Sequence, residues 1–407
     1  MLMRISMALL ITVSAARAYT SCAVKVIGAP GALVAEEGAN PVSSNGRNVY
    51  AGFMQTRNLA VAASSDWGVT LRAPVVLFNG PGTQQFLRLA ASGSNAYALW
   101  GVLQNGGTSL MFAASHHYGD DWSAPISIGA YLPHLPQVAA DGDNVHLVYH
   151  APDGNMDIVN SANAGASFSA PVAVGPGASE EVAISAGSNV YVSWSISDGR
   201  PDTMLGVSHD NGNTFRVTEI SADRQTGSNE PILAIDSISG RVSLVWRENT
   251  PQQGVYLQSL DNGNTWSSPL VIDNPARQFM VADDGTYIYI SYLKKVLING
   301  IVDWRVYLAV SKDGGKTFPA VTNLSGPTGI QVLVADQARP VPWAWDGHGA
   351  FRLTGVKRDG VYIWNGRNGV VLPSSAQYLG PGTTAAPAYN SAVWQSPNKV
   401  VSYGVCK

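Results

Sequence analysis

The sequence predicts an all-β chain, a β-propeller of four-stranded antiparallel blades. Three observations point there: a composition rich in turn formers, a repeat of about fifty residues, and alternating apolar segments around each copy. Of 407 residues, 42 are Gly and 23 are Pro, while only 13% are charged and 45% are apolar. So few Glu, Lys and Arg exclude a coiled coil or long bundle. So much apolar content excludes a disordered chain. Short strands joined by tight turns fit this balance.

The repeat has the form Ser-x-Asp-x-Gly-x-Thr-aromatic. Its clearest copies run Ser208–Phe215 around Asp210, Ser259–Trp266 around Asp261 and Ser311–Phe318 around Asp313. Looser copies begin at Ser64 (with Asp66), Ser115 and Ser161, so successive starts lie 51, 46, 47, 51 and 52 residues apart. Each copy follows an apolar or alternating segment such as YALWGV, VHLVYH, VYVSWS, VSLVWR or YIYISY. Another short strand precedes that segment, and a last one follows the motif. Four strands per fifty-residue period is the pattern of a propeller blade. Within the motif, the Asp carboxylate suits the amides of a tight turn, the Gly supplies a positive φ, and the aromatic ring is a buried anchor. Asp66, Asp210, Asp261, Asp313, Phe215, Trp266 and Phe318 are therefore read as structural.

Six copies define six blades, and the strand-like run PVPWAWDG, AFRLTGV, VYIWNG, VVLP over 326–373 gives a seventh. Residues 387–407 and 22–35 either complete that blade or form an eighth jointly, so seven blades are expected, with six or eight as alternatives.

Residues 1–18 have the form of a signal peptide: Arg4, an apolar run from Met7 to Val13, and the small-x-small site Ala16-Arg17-Ala18. The expectation is a secreted protein, extracellular or periplasmic, with 19–407 as one propeller domain. Removing Arg4 and Arg17 leaves 23 basic against 28 acidic residues, a net charge of −5. That balance excludes a nucleic-acid partner, because phosphate binding needs a basic face. No later segment has the roughly 20 apolar residues of a membrane helix. The two cysteines, Cys22 and Cys406, stand far apart in the chain. In an exported protein they are expected to pair, which stabilises by several kcal/mol in the chain-entropy model. Lipidation of Cys22 is the alternative, although Tyr19-Thr20-Ser21 lacks the preceding Leu and small residue. No metal or cofactor motif is present.

The Ser-x-Asp-x-Gly-x-Thr-Trp motif is the Asp-box, or bacterial neuraminidase repeat, and over residues 40–405 the chain resembles the sialidase superfamily of secreted propellers. The resemblance implies an arginine triad for a substrate carboxylate, a Tyr nucleophile activated by a Glu, and an Asp acid/base. Glu230 with Pro231 and Arg247 resemble the family's Glu-Pro strand and its following arginine. Arg305 resembles the later arginine, and Tyr389 the nucleophile. The first-blade arginine falls at Ala39-Asn40-Pro41, where there is none, and no Asp lies between there and Ser64. The expected function is therefore carbohydrate recognition at an axial pocket. The alternatives are an exo-acting glycosidase using Tyr389 and Glu230, and a non-catalytic adhesin or protein-binding propeller.

Repeat alignment adds candidates where first strands begin: Glu230 with Arg277 at one position, and Arg88, Gln137 and Glu181 at another. This mixture around one axis suits a glycan or other small polar ligand. Trp100, Trp194 and Trp246 are expected to pack between blades and Trp122 to anchor its motif. Trp304, Trp343, Trp345 and Trp394 are candidates for stacking on sugar rings.

Overall fold

The computed structural model describes residues 22–27, 32–33, 42–45, 47–55 and 58–324, apart from short breaks at 133–135, 178, 198–200, 222–226, 237–238, 284 and 299, and then strand segments between 340 and 406. Every regular element among the described residues is a β-strand, and all pairings are antiparallel. The strands form eight sheets, six of four strands and two of five. In chain order the first strands of the sheets are Val42–Asn45, Thr83–Ser92, Gln137–Asp141, Ser179–Ala186, Ser228–Asp236, Ala276–Asp283, Pro340–Trp345 and Thr384–Ala388. Each lies against the next, and the last returns to the first, so together they enclose the centre of a propeller.

Eight sheets stand where seven blades were the first expectation. The final sheet takes Thr384–Ala388, Ser391–Gln395 and Val401–Cys406 from one end of the chain and Cys22–Val26 from the other. The two segments whose placement the sequence left open therefore complete one sheet jointly. Cys22 and Cys406 are direct register partners in it. Residues 1–18, the expected signal peptide, and Tyr389 lie outside the described residues.

The apolar residues collect between sheets rather than in one central core. Alternation along each strand presents one set of side chains to the preceding sheet and the other to the following sheet. Trp100 joins Tyr50, Leu59 and Leu87 between the first and second sheets. Trp194 joins Val148 and Ile158 between the third and fourth, and Trp246 joins Tyr191 and Leu205 between the fourth and fifth. All three indoles are fully buried, as expected of blade packing.

The Asp-boxes occupy the turns between third and fourth strands, on the face opposite the starts of the first strands. In the three clear copies, and in the one at Ser64, the Ser hydroxyl donates to the Asp carboxylate at 2.7 Å and also accepts the Gly amide. The Thr amide and hydroxyl both donate to the same Asp. The hydroxyl and amide of Thr214 hold the Asp210 carboxyl down to about 2, and Thr317 does the same for Asp313.

The copies at Ser115 and Ser161 keep this geometry with other groups. Asn163 accepts from Ser161 at 2.8 Å and from the Ser167 amide at 3.0 Å. His117 sits 2.8 Å from Asp121, which replaces the Asp–Thr pair. His116 and His117 both lie in this turn, and His116 pairs separately with Asn95.

The motif also needs its residue before the Gly in the left-handed region. Asn211 has φ 61° and Asn262 φ 56°, followed by Gly212 at 79° and Gly263 at 82°. This backbone directs the Asn211 and Asn262 amides to Ser188 and Gly240, in the turn between first and second strands of the same sheet. It also presses the glycine onto the preceding sheet. A Cβ at Gly263 would lie 3.1 Å from Tyr191 and Val207, and one at Gly165 2.7 Å from Phe112. The motif aromatic reaches the same seam: Phe318 meets Tyr256 edge-on at 5.1 Å, and Trp266 packs into the cluster holding Tyr191 and Val207. The Asp-box is thus the joint between successive sheets.

Gly263→Ala is expected to destabilise the fold by about 1–3 kcal/mol, through both the positive φ and the lost clearance, read from denaturant melts. Asp210→Asn is expected to keep the turn, as Asn163 does. The folded carboxyl near 2 lies below the unfolded value of about 3.9. Its stabilisation is therefore complete above that unfolded value and is lost as pH falls toward 2. Melts between pH 5 and 2 should show a shallower acid loss in the variant than in the parent.

Candidate functional site

The starts of the first strands share one face of the ring with the ends of the second strands and the starts of the third. In the fifth sheet, Ser228 pairs with Glu248 and Asn229 with Arg247, and regular pairing resumes only at Ile232 with Val245. The skipped residues, Glu230 and Pro231, form a bulge. Pro231 has no amide to lose from the ladder, which suits it to that place. Glu230 has φ 56°, a conformation that costs an L-residue roughly 1 kcal/mol or more. Arg247 Nη1 donates to Glu230 Oε1 at 2.7 Å. The pair is partly open, with 26% of the Glu230 side chain and 17% of the Arg247 side chain exposed. Beside it, fully buried Glu248 accepts from Gln253 Nε2 at 2.6 Å.

The sixth sheet repeats the bulge. Arg277 pairs with Leu293, and pairing resumes at Met280 with Ser291. Here Gln278 takes φ 55°, so Gln278 is the structural equivalent of Glu230. The expected equivalence of Glu230 with Arg277 is therefore displaced by one residue, and Arg277 matches Asn229. The guanidinium of Arg277 lies 4.1 Å over the Trp304 ring. Trp304 is buried, and this cation–π contact occupies a ring face expected to meet sugar.

On the other face of the same sheet, Lys294 and Arg305 are direct cross-strand partners. Two like charges so placed repel unless carboxylates flank them. Asp273 supplies one, accepting from Lys294 Nζ at 2.7 Å and from the Tyr292 hydroxyl at 2.6 Å. Asp303 supplies the other, accepting from Arg305 Nε at 3.0 Å.

These two groups meet at one seam. Val245 packs with Tyr292, Phe279 and Tyr256 between the fifth and sixth sheets. Arg247 lies two residues beyond Val245 on that face, and Lys294 two beyond Tyr292. By strand alternation, three ion pairs, Glu230 with Arg247, Asp273 with Lys294 and Asp303 with Arg305, face the seam between the fifth and sixth sheets, and of these six residues Glu230 is the one on a first strand, beside the ring centre. Arg277 belongs to the opposite face of the sixth sheet.

The remaining candidates do not share a position. Arg88 is buried past its strand's bulge and donates from Nε to the Pro136 carbonyl at 3.2 Å, bracing the entry to the third sheet. Gln137 begins its strand opposite Val148, and Glu181 falls inside the bulge between Ser179 and Val182. Trp343 lies in the corresponding bulge of the seventh sheet, and Trp345 and Trp394 pair with Phe351 and Ser402 in the seventh and eighth sheets. Sequence reasoning passed over Asp273, Lys294, Asp303, Glu248 and Gln253. The available signal was two-residue spacing of polar groups (292/294, 303/305) at the ends of otherwise apolar strands. Among the described residues, no cluster of three or more His, Cys, Asp or Glu side chains is placed to hold a metal ion. Among the described residues, no helix is long and apolar enough to cross a membrane.

No family model matches the chain, and no curated protein matches it. Among solved structures, it is similar to a prolyl endopeptidase with a TM-score of 0.55 and 11% identity, over 91% of this chain and 55% of that one. The chain therefore spans little more than half of that enzyme's length. It is also similar to an ulvan lyase of polysaccharide lyase family PL25, bound to -[GlcA(1-4)Rha3S]-, with a TM-score of 0.48, 15% identity, and 89% and 98% of the two chains covered. For the NanB sialidase from Streptococcus pneumoniae the TM-score is 0.39, the identity 11%, and the coverage 65% and 67%. At these identities the likeness is one of fold.

If the bulge holds Glu230 against its backbone preference, Glu230→Gly should be more stable than Glu230→Ala by about 1 kcal/mol. Both variants lose the Arg247 contact, so their difference in denaturant midpoint isolates the φ cost. Equal midpoints would remove strain from the account.

Proposed function

We propose that the chain is a secreted propeller that binds carbohydrate on the face where the first strands begin, with Glu230 and Arg247 making the first contacts. One observation carries this reading: a strained glutamate, set in a bulge beside the ring centre, pairs at 2.7 Å with an arginine while both stay partly open. Strained backbone of this kind concentrates where a side chain must be aimed.

The pair offers acceptor and donor side by side, which matches sugar hydroxyls that both donate and accept. Charge-assisted hydrogen bonds are the stronger kind. Each of the three cations facing this seam already has its own carboxylate. Such a balanced site favours a neutral sugar over a free anion, because an anionic group would meet as many carboxylates as cations. That separates this reading from carboxylate capture by an arginine triad, which the Asp-box resemblance implies for sialidases.

A glycan array with purified protein tests the proposal. Binding to neutral glycans is expected, with Glu230→Gln and Arg247→Ala each weakening it at least tenfold, or about 1.4 kcal/mol. Preference for sialylated glycans, with turnover of a fluorogenic sialoside that Tyr389→Phe abolishes, would replace the proposal with hydrolysis. No signal above background on the array would leave the adhesin reading in its place.

A further inference from the structure

We propose that Cys22 and Cys406 form a disulfide that fastens the closing sheet of the ring, and that until it forms the strand Val401–Cys406 is open to strand addition by a second copy of the chain. The inference is independent of the ligand. It rests on how the eighth sheet is assembled. Three of its strands, Thr384–Ala388, Ser391–Gln395 and Val401–Cys406, are sequential hairpin neighbours that form locally. The fourth, Cys22–Val26, arrives from the far end of the sequence and adds to the outer edge through five rungs, Cys22 with Cys406 through Val26 with Ser402.

Closing so long a loop carries an entropic cost before any rung forms. An uncovered edge of backbone donors and acceptors is a template for an identical strand from another molecule. Exchange of one identical element between protomers then gives a dimer. The same sheet links the ring: Thr384–Ala388 lies against Pro340–Trp345 on one side and Val42–Asn45 on the other.

Direct antiparallel partners have Cα atoms about 4.5 or 5.5 Å apart, depending on the rung type. Both values lie inside the roughly 4.4–6.8 Å that a disulfide spans. The chain has two cysteines, so one intramolecular pairing is available. In the reaction the two thiols release two protons and two electrons as the S–S bond forms. An oxidised dithiol protein accepts the electrons by exchange through a mixed disulfide and leaves as the dithiol.

The test uses the full chain exported to an oxidising compartment. The expected intact mass is two hydrogens below that of the reduced protein, with a peptide joining Cys22 to Cys406 in the unreduced digest. The oxidised protein is expected to stay monomeric at every concentration in light scattering. Reduction, or the double variant Cys22→Ser with Cys406→Ser, is expected to give dimers whose fraction rises with concentration, and a synthetic peptide of residues 22–27 should suppress them. Two titratable thiols in the folded, exported protein, or a lipid on Cys22, would overturn the cross-link. Reduced protein that remains monomeric at all concentrations would overturn the open edge. Reduction of the parent protein supplies this readout even where the double variant does not fold.

Discussion

The structure depends on the joint between one sheet and the next. No sheet buries both of its faces alone, because alternation sends apolar side chains to either side. Burial is complete only when the neighbour's face arrives, as when Trp246 meets Tyr191 and Leu205. The Asp-box sets how closely that neighbour approaches. Its two consecutive left-handed residues turn the chain so that a bare glycine rests on the preceding sheet, and its aromatic ring fills the gap beside it. The Asp carboxylate is outside this contact, exposed on the surface, yet it organises the turn by accepting from Ser and Thr. A mostly exposed hydrogen-bonded turn thereby controls a buried interface.

The same joint explains the variation among copies. Asn163 preserves the acceptor at 2.8 Å without a charge, and His117 with Asp121 inverts the donor and acceptor roles. What all of them keep is the Ser hydroxyl, the glycine and the left-handed step before it. The geometry is therefore more general than the motif by which it is recognised. The face carrying the Asp-boxes is committed to holding sheets together. The opposite face carries the bulges and the strained glutamate, whereas open ion pairs occur at both ends of the strands, Arg72 with Asp120 among the Asp-boxes and Glu230 with Arg247 opposite them.

The seam between the fifth and sixth sheets illustrates how charge is managed there. Lys294 directly opposite Arg305 is an unfavourable arrangement taken alone. Asp273 comes from the neighbouring sheet and Asp303 from two residues away on the same strand, and each neutralises one cation. A cluster built this way is close to neutral. It presents directional hydrogen-bond groups without a strong field, which suits selection among hydroxylated ligands by geometry.

By itself the sequence determined the strand-rich class, the fifty-residue period, the six motif turns and the buried tryptophans. These are local properties: alternation with a period of two, and turn chemistry within eight residues, act between neighbours in the chain. Two features were decided by tertiary structure alone. The eighth sheet forms from both ends of the chain because an edge left by Val401–Cys406 is complementary to Cys22–Val26. The candidate face depends on register, where one residue of slip reverses which way a side chain faces. The bulges introduce such slips, so Arg277, aligned with Glu230 by repeat, turns to Trp304, while Asp273 and Lys294 meet across a seam that no repeat alignment joins. Glu230 and Arg247 were legible because they share one hairpin, whose pairing brings residues 17 positions apart together.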